Sequence, residues 1–136
     1  MKIQYERQGR GGRKAAAPPA PKEAQEQEWL FQWMAYNQAL HPELALCFAI
    51  PNGGSRDKRE AHNLRLQGVK RGVPDIFLPA ARKGFHGLFI ELKRTKGGKV
   101  SEDQRAWLDA LTRQGYRAVV CYGFEEAQHE IESYLD

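Results

Sequence analysis

The residues best suited to chemistry are Asp75, Glu91 and Lys93, three charges set inside the apolar runs of VPDIFLPAARKGFHGLFIELKR, residues 73–94. The runs read as two strands joined by a turn containing Gly84. Side chains alternate along a strand, so Glu91 and Lys93 share a face with Phe89, and Asp75 shares one with Phe77. A turn centred on Lys83 opposes Phe77 to Phe89 and Asp75 to Glu91. Carboxylates so opposed have Cβ atoms roughly 5 Å apart. At an effective dielectric of about 20 they repel by about 3 kcal/mol. Lys93 can offset one charge and a divalent cation both, and clustered oxygen ligands suit the hard ions Mg²⁺ or Mn²⁺. That set fits metal-assisted hydrolysis of a phosphodiester. Asp75 and Glu91 would ligate the metal, and Lys93 would position water or stabilise charge growing on phosphorus. Taken alone, the hairpin fits a plainer reading equally well: Asp75 as a turn acid after Pro74, and Glu91 with Lys93 as an exposed pair on an edge strand.

The elements around the hairpin must position these groups. KEAQEQEWLFQWMAYNQAL is made of helix formers, with Leu30, Phe31 and Met34 following Glu23 and Gln27 at three- and four-residue steps. His41-Pro42 breaks this helix, and LALCFAIPNGG predicts a strand ending in a turn. SRDKREAHNLRLQG predicts a polar helix capped by Ser55 and stopped at Gly68, with only Ala61, Leu64 and Leu66 to bury. After the hairpin and the basic turn KRTKGGK comes a helix with a Ser101/Gln104 capping box, a Trp107, Leu108, Leu111 stripe and Gly115 at its end. YRAVVCYGF, apolar on both faces, predicts a central strand reached by a crossover. EEAQHEIESYL closes the chain as an amphipathic helix with Ala127, Ile131 and Leu135 inward.

A chain of 136 residues, 41% hydrophobic, suits one domain. Its net charge of +4 is a property of the N-terminus: residues 1–22 hold six bases against Glu6, a local +5, which leaves −1 for the rest. That tail has too little apolar surface to fold alone and is expected to be disordered, with the domain at 23–136. Elsewhere bases gather at residues 52–72 and 82–99 and acids after Val100, which suits one phosphate-facing side and also suits an unevenly charged solvated surface. Cys47 and Cys121 lie in apolar runs and read as buried thiols of a reducing compartment such as the cytoplasm. The four histidines form no zinc spacing, and no apolar run reaches the length of a membrane span.

GVPD at 72–75 and IELK at 90–93 resemble the PD-(D/E)xK nuclease signature. With EAQEQ, IPNGGSR, GVKRGVPDIFLP, GLFIELK and VSEDQRAWLDAL, the chain resembles the VRR-Nuc branch, in its stand-alone phage and bacterial form. The resemblance implies an α/β fold, a restriction-endonuclease-like αβββαβ core with a central mixed sheet flanked by helices. It implies Mg²⁺- or Mn²⁺-dependent DNA cleavage, with Asp75, Glu91 and Lys93 at catalytic positions and the Leu92 carbonyl as a further metal ligand. It also implies an acid from the first helix, for which Glu23, four residues before Gln27, is favoured over Glu26; either also fits as an acid complementing the helix dipole. Gln104 matches a recurrent glutamine beside the site, although capping alone explains it equally. Asn52, Gly53 and Arg56 fit a loop approaching DNA or a plain turn, and Lys70, Arg71, Arg94, Lys96 and Lys99 fit phosphate contacts. The implied activity is that of a structure-selective endodeoxyribonuclease, a homodimeric Holliday-junction resolvase. Its alternatives are a flap- or fork-directed nuclease and a non-cutting DNA-binding subunit of a phage replication or packaging assembly.

Overall fold

The computed structural model describes residues 16–51 and 57–136. Helix α1 (Glu23–Tyr36) is followed by a 3₁₀ turn (Pro42–Leu46), strand β1 (Phe48–Ala49), helix α2 (Lys58–Leu66), strands β2 (Ile76–Leu78) and β3 (Leu88–Lys93), helix α3 (Glu102–Arg113), strand β4 (Arg117–Tyr122) and helix α4 (Phe124–Leu135). The sheet runs β1-β2-β3-β4, antiparallel except for the parallel β3-β4 pair that α3 connects. This is a mixed α/β sheet flanked by helices, as the sequence implies.

Alternation along the hairpin decides which face is core. Ile76, Leu78, Leu88, Ile90 and Leu92 turn inward and are buried with Leu30 and Met34 of α1 and Ala127 and Ile131 of α4. The other face carries Phe77 and Phe89, which stack at 4.2 Å between ring centroids, with Phe48 and Tyr116 edge-on to the stack. Phe77 pairs with Phe89 and Ile76 with Ile90, the expected register. Nearer the turn Arg82 bridges Phe85, so three residues oppose two, one extra residue on the first strand. Lys83 and Gly84 both take positive φ there, as a tight hairpin turn requires.

Three expectations need correction. LALCFAI is not a strand throughout: Pro42 presets the first helical φ, the His41 carbonyl accepts from the Leu44 N–H at 3.0 Å, and only Phe48 and Ala49 pair with β2. β4 is an edge strand, not a central one; α3 packs on it and so does α4, and this cover explains its apolar residues. The polar helix begins later than expected, at Lys58, with Asp57 Oδ1 accepting from the Arg59 N–H at 2.9 Å. Ser55 lies outside the described residues, as does the tail from 1 to 15.

Candidate active site

Each carboxylate of the hairpin is held by a different element. Asp75 lies one residue before β2, and its backbone carbonyl accepts from the Ile50 N–H at 2.7 Å, which continues the β1-β2 pairing past the end of the strand. Its Oδ2 accepts from the Leu92 N–H at 2.8 Å. The loop before it is docked on α3: the Trp107 indole donates to the Arg71 carbonyl at 3.0 Å, and a Cβ on Gly72 would meet the Asp103 main chain at 2.8 Å. Gly72 also has φ +88°, so this position is built for glycine.

Glu91 is 1% exposed. Its Oε1 accepts from Gln104 Nε2 at 2.9 Å and lies 3.4 Å from Lys93 Nζ, while its Oε2 is buried with no hydrogen-bond partner among the described residues. Gln104 serves two purposes at once. Its Oε1 accepts from the Ser101 N–H at 2.9 Å, completing the capping box, and its Nε2 reaches the acid. Lys93 is nearly buried, and a Cβ on Gly98 would lie 2.9 Å from the Lys93 Cβ, so the glycine turn folds closely over it.

The two acids perturb one another. Burial raises the Asp75 carboxyl above its ordinary range, against the pull of the Leu92 N–H and of Lys93. Burial, then the Asp75 charge, pushes Glu91 up to about 8. Their mutual interaction lowers Asp75 and raises Glu91, so the two titrate as a pair. Glu23 is half-buried, and it too is raised, by burial and then by the Asp75 charge. Glu26, one helical step away, is buried towards Thr95 and Phe124 instead.

Main-chain geometry adds a further oxygen. The Arg117 N–H donates to Gly87 and the Gly123 N–H to Lys93, so odd-numbered residues of β3 turn their main-chain groups to β4. Even-numbered ones, Leu92 included, face the β2 side. Extending the β2-β3 register by two residues brings Pro74 opposite Leu92, and a proline has no N–H to give the Leu92 carbonyl. Among the described residues no three acidic, histidine or cysteine side chains form a metal cage. Two acids, one with an unpartnered buried oxygen, and a carbonyl suit an ion that keeps waters and takes substrate phosphate as a ligand, as Mg²⁺ does.

The VRR-NUC domain model matches residues 17–125. The chain belongs to the VRR-NUC family. A solved structure described as a VRR_NUC domain protein superposes with a TM-score of 0.76 at 26% identity, covering 87% of this chain and 91% of that one. No curated protein gives a significant match. A VRR-NUC domain carries a nuclease-type, DNA-processing function.

The other expected residues of this VRR-NUC domain form two groups. Lys70, Arg71, Arg94, Lys96 and Lys99 are all exposed, and Arg94 is close enough to Glu23 to lower its pKa. Asn52, Gly53 and Arg56 lie outside the described residues. Sequence reasoning missed the Thr95, Gly123 and Phe124 surroundings of Glu26. The contacts span 69 to 98 residues of chain, and only the glycine at 123, with φ +91°, offers a local signal.

Proposed function

We propose that the chain is a divalent-metal-dependent endodeoxyribonuclease that cuts branched DNA as a homodimer, with the four-way Holliday junction as its substrate. The observation that carries the reading is the Asp75–Glu91 pair beside Lys93, with one buried glutamate oxygen left for a ligand outside the protein. Asp75, Glu91 and the Leu92 carbonyl would hold Mg²⁺ or Mn²⁺. Bound there, the ion supplies charge neutralisation and Lewis acidity at the phosphate.

The chain's own groups do the rest. Lys93, kept beside Glu91 under the Gly98 turn, presents its ammonium to the negative charge that grows on the phosphate oxygens during attack. Gln104 fixes the Glu91 rotamer, and α3 holds the loop that carries Asp75. Glu23 is the first-helix acid, raised towards the neutral form next to Asp75 and so suited to orient water or pass a proton. Lys70, Arg71, Arg94, Lys96 and Lys99 contact phosphates and set orientation without reading sequence, a role assigned also to Asn52, Gly53 and Arg56. A junction needs two symmetric cuts, and one site per chain supplies them through a twofold dimer.

The test is cleavage of linear, flap, fork and four-way DNAs with Mg²⁺ or Mn²⁺, with Asp75→Ala as control. Paired symmetric nicks in the four-way DNA by a species of twice the chain mass are expected. Single incisions in flaps or forks would replace the junction with a flap or fork substrate. Lys93→Ala should lower cutting at least a hundredfold while DNA binding persists, and cutting in EDTA would overturn the reading.

A further inference from the structure

A cavity of about 690 Å³ opens where β3 and β4 end and α4 begins. Crevices at the carboxyl ends of parallel strands are where α/β sheets receive ligands. It is lined by Trp29, Tyr122 and Phe124 and by the segment around Pro19. Trp29 is 39% and Tyr122 40% exposed, so both keep open aromatic surface. At the back sits Glu26, only 4% exposed. Its Oε1 is engaged, accepting from Thr95 Oγ1 at 2.9 Å and from the Phe124 N–H at 3.3 Å. Its Oε2 is buried and has no hydrogen-bond partner among the described residues.

A glutamate oxygen left without a donor is costly unless something brings one. The position also looks built for the glutamate, because a Cβ on Gly123 would come within 2.5 Å of Thr95 Oγ1 and 2.9 Å of Glu26 Oε1. The cavity is linked to the machinery of the proposed reaction through the main chain. The Gly123 N–H donates to the Lys93 carbonyl at 2.9 Å, Thr95 is two residues beyond Lys93, and Lys96 stands at the rim.

We infer that this cavity is a base-binding subsite, which takes one unpaired nucleobase next to the scissile phosphate and hydrogen-bonds its amino group to Glu26 Oε2. The inference rests on the nuclease reading for its substrate and adds a specificity-determining residue to it. Aromatic lining residues with one buried acceptor match the two parts of a base, a π face and an edge donor. Cytosine and adenine offer an exocyclic amino group. Thymine offers only an N3–H flanked by two carbonyl oxygens, which a carboxylate repels. The subsite therefore prefers amino-bearing bases to thymine, and an abasic nucleotide leaves it empty.

The test uses the full chain in EDTA, so that binding is read without cutting, with forked duplexes whose single-stranded arms are oligo-dC, oligo-dA, oligo-dT or abasic. Fluorescence anisotropy should give dissociation constants about tenfold tighter for dC and dA arms than for dT arms, with abasic arms weakest. Glu26→Gln should reduce the dC-over-dT ratio to about one. Trp29→Ala, at an exposed position, should bring every base-bearing arm towards the abasic value and serves if the Glu26 variant does not fold. Equal affinity for all four arms, or failure to bind any of them, overturns the subsite. Cleavage assays on the same forks with Mg²⁺ separate the two readings. Cutting without base preference removes the subsite alone, whereas base-selective binding without cutting keeps the subsite and removes the nuclease.

Discussion

Glu91 spends one oxygen on Gln104 and Lys93 and leaves the other buried without a hydrogen-bond partner among the described residues, so ionising it costs the folded chain more than the unfolded one. Its folded pKa of about 8 stands above an ordinary value of 4.5. Between those values the native state binds more protons than the unfolded state, so stability falls as pH rises through the window and levels off above it. Asp75 shifts in the same direction. Melting temperature of the metal-free protein should drop by about 10 °C across that interval, and Glu91→Gln should flatten the drop. A divalent ion should restore most of the loss at the alkaline end, because it takes the place of the proton. Differential scanning fluorimetry from pH 4 upwards, with and without Mn²⁺, measures all three. The two jobs of Gln104 can be separated in the same way. Ser101→Ala and Gln104→Ala both break the capping box and should each cost about 1 kcal/mol of stability. Only Gln104→Ala also frees Glu91, and it alone should raise the metal concentration for half-maximal cutting, by about tenfold.

Among the elements, α2 stands apart from those that build the site. None of its residues is buried, and it packs extensively against no other described element. Nine residues are too few for a helix to be stable by itself in water, and among the described residues α2 is held chiefly by its Asp57 cap and its own turns. Native-state hydrogen exchange should find the amides of residues 58–66 opening far more readily than those of β3, by at least a hundredfold in protection. Protection equal to that of α1 would mean that α2 is buried in an assembly. The loop on the far side of α2 behaves differently, because Arg71 and Gly72 are locked to α3 through Trp107 and the close approach to Asp103.

At the scale of the molecule, the hairpin was the most legible part of the sequence, for a physical reason. Period-two alternation, one aromatic pair and a Lys-Gly turn fix its register, and that register brings Asp75 and Glu91 together. The capping box of α3 was equally local and equally legible. What the sequence hid was set by neighbours distant along the chain. β4 reads as central because helices cover it, although no described strand pairs with its outer side. LALCFAI has strand composition, but the proline before it starts a 3₁₀ turn. Glu23 and Glu26 lie one step apart on the same helix, and only the folded chain separates an acid facing Asp75 from one facing Thr95 and α4.

The account depends on Asp75 and Glu91 holding one divalent ion together. Mn²⁺ binding followed by electron paramagnetic resonance at pH 8 tests this most directly, with the wild-type chain beside Asp75→Asn and Glu91→Gln. One strong site per chain, weakened at least tenfold by either substitution with the fold intact, is the predicted result. Mn²⁺ affinity indifferent to both substitutions would contradict it.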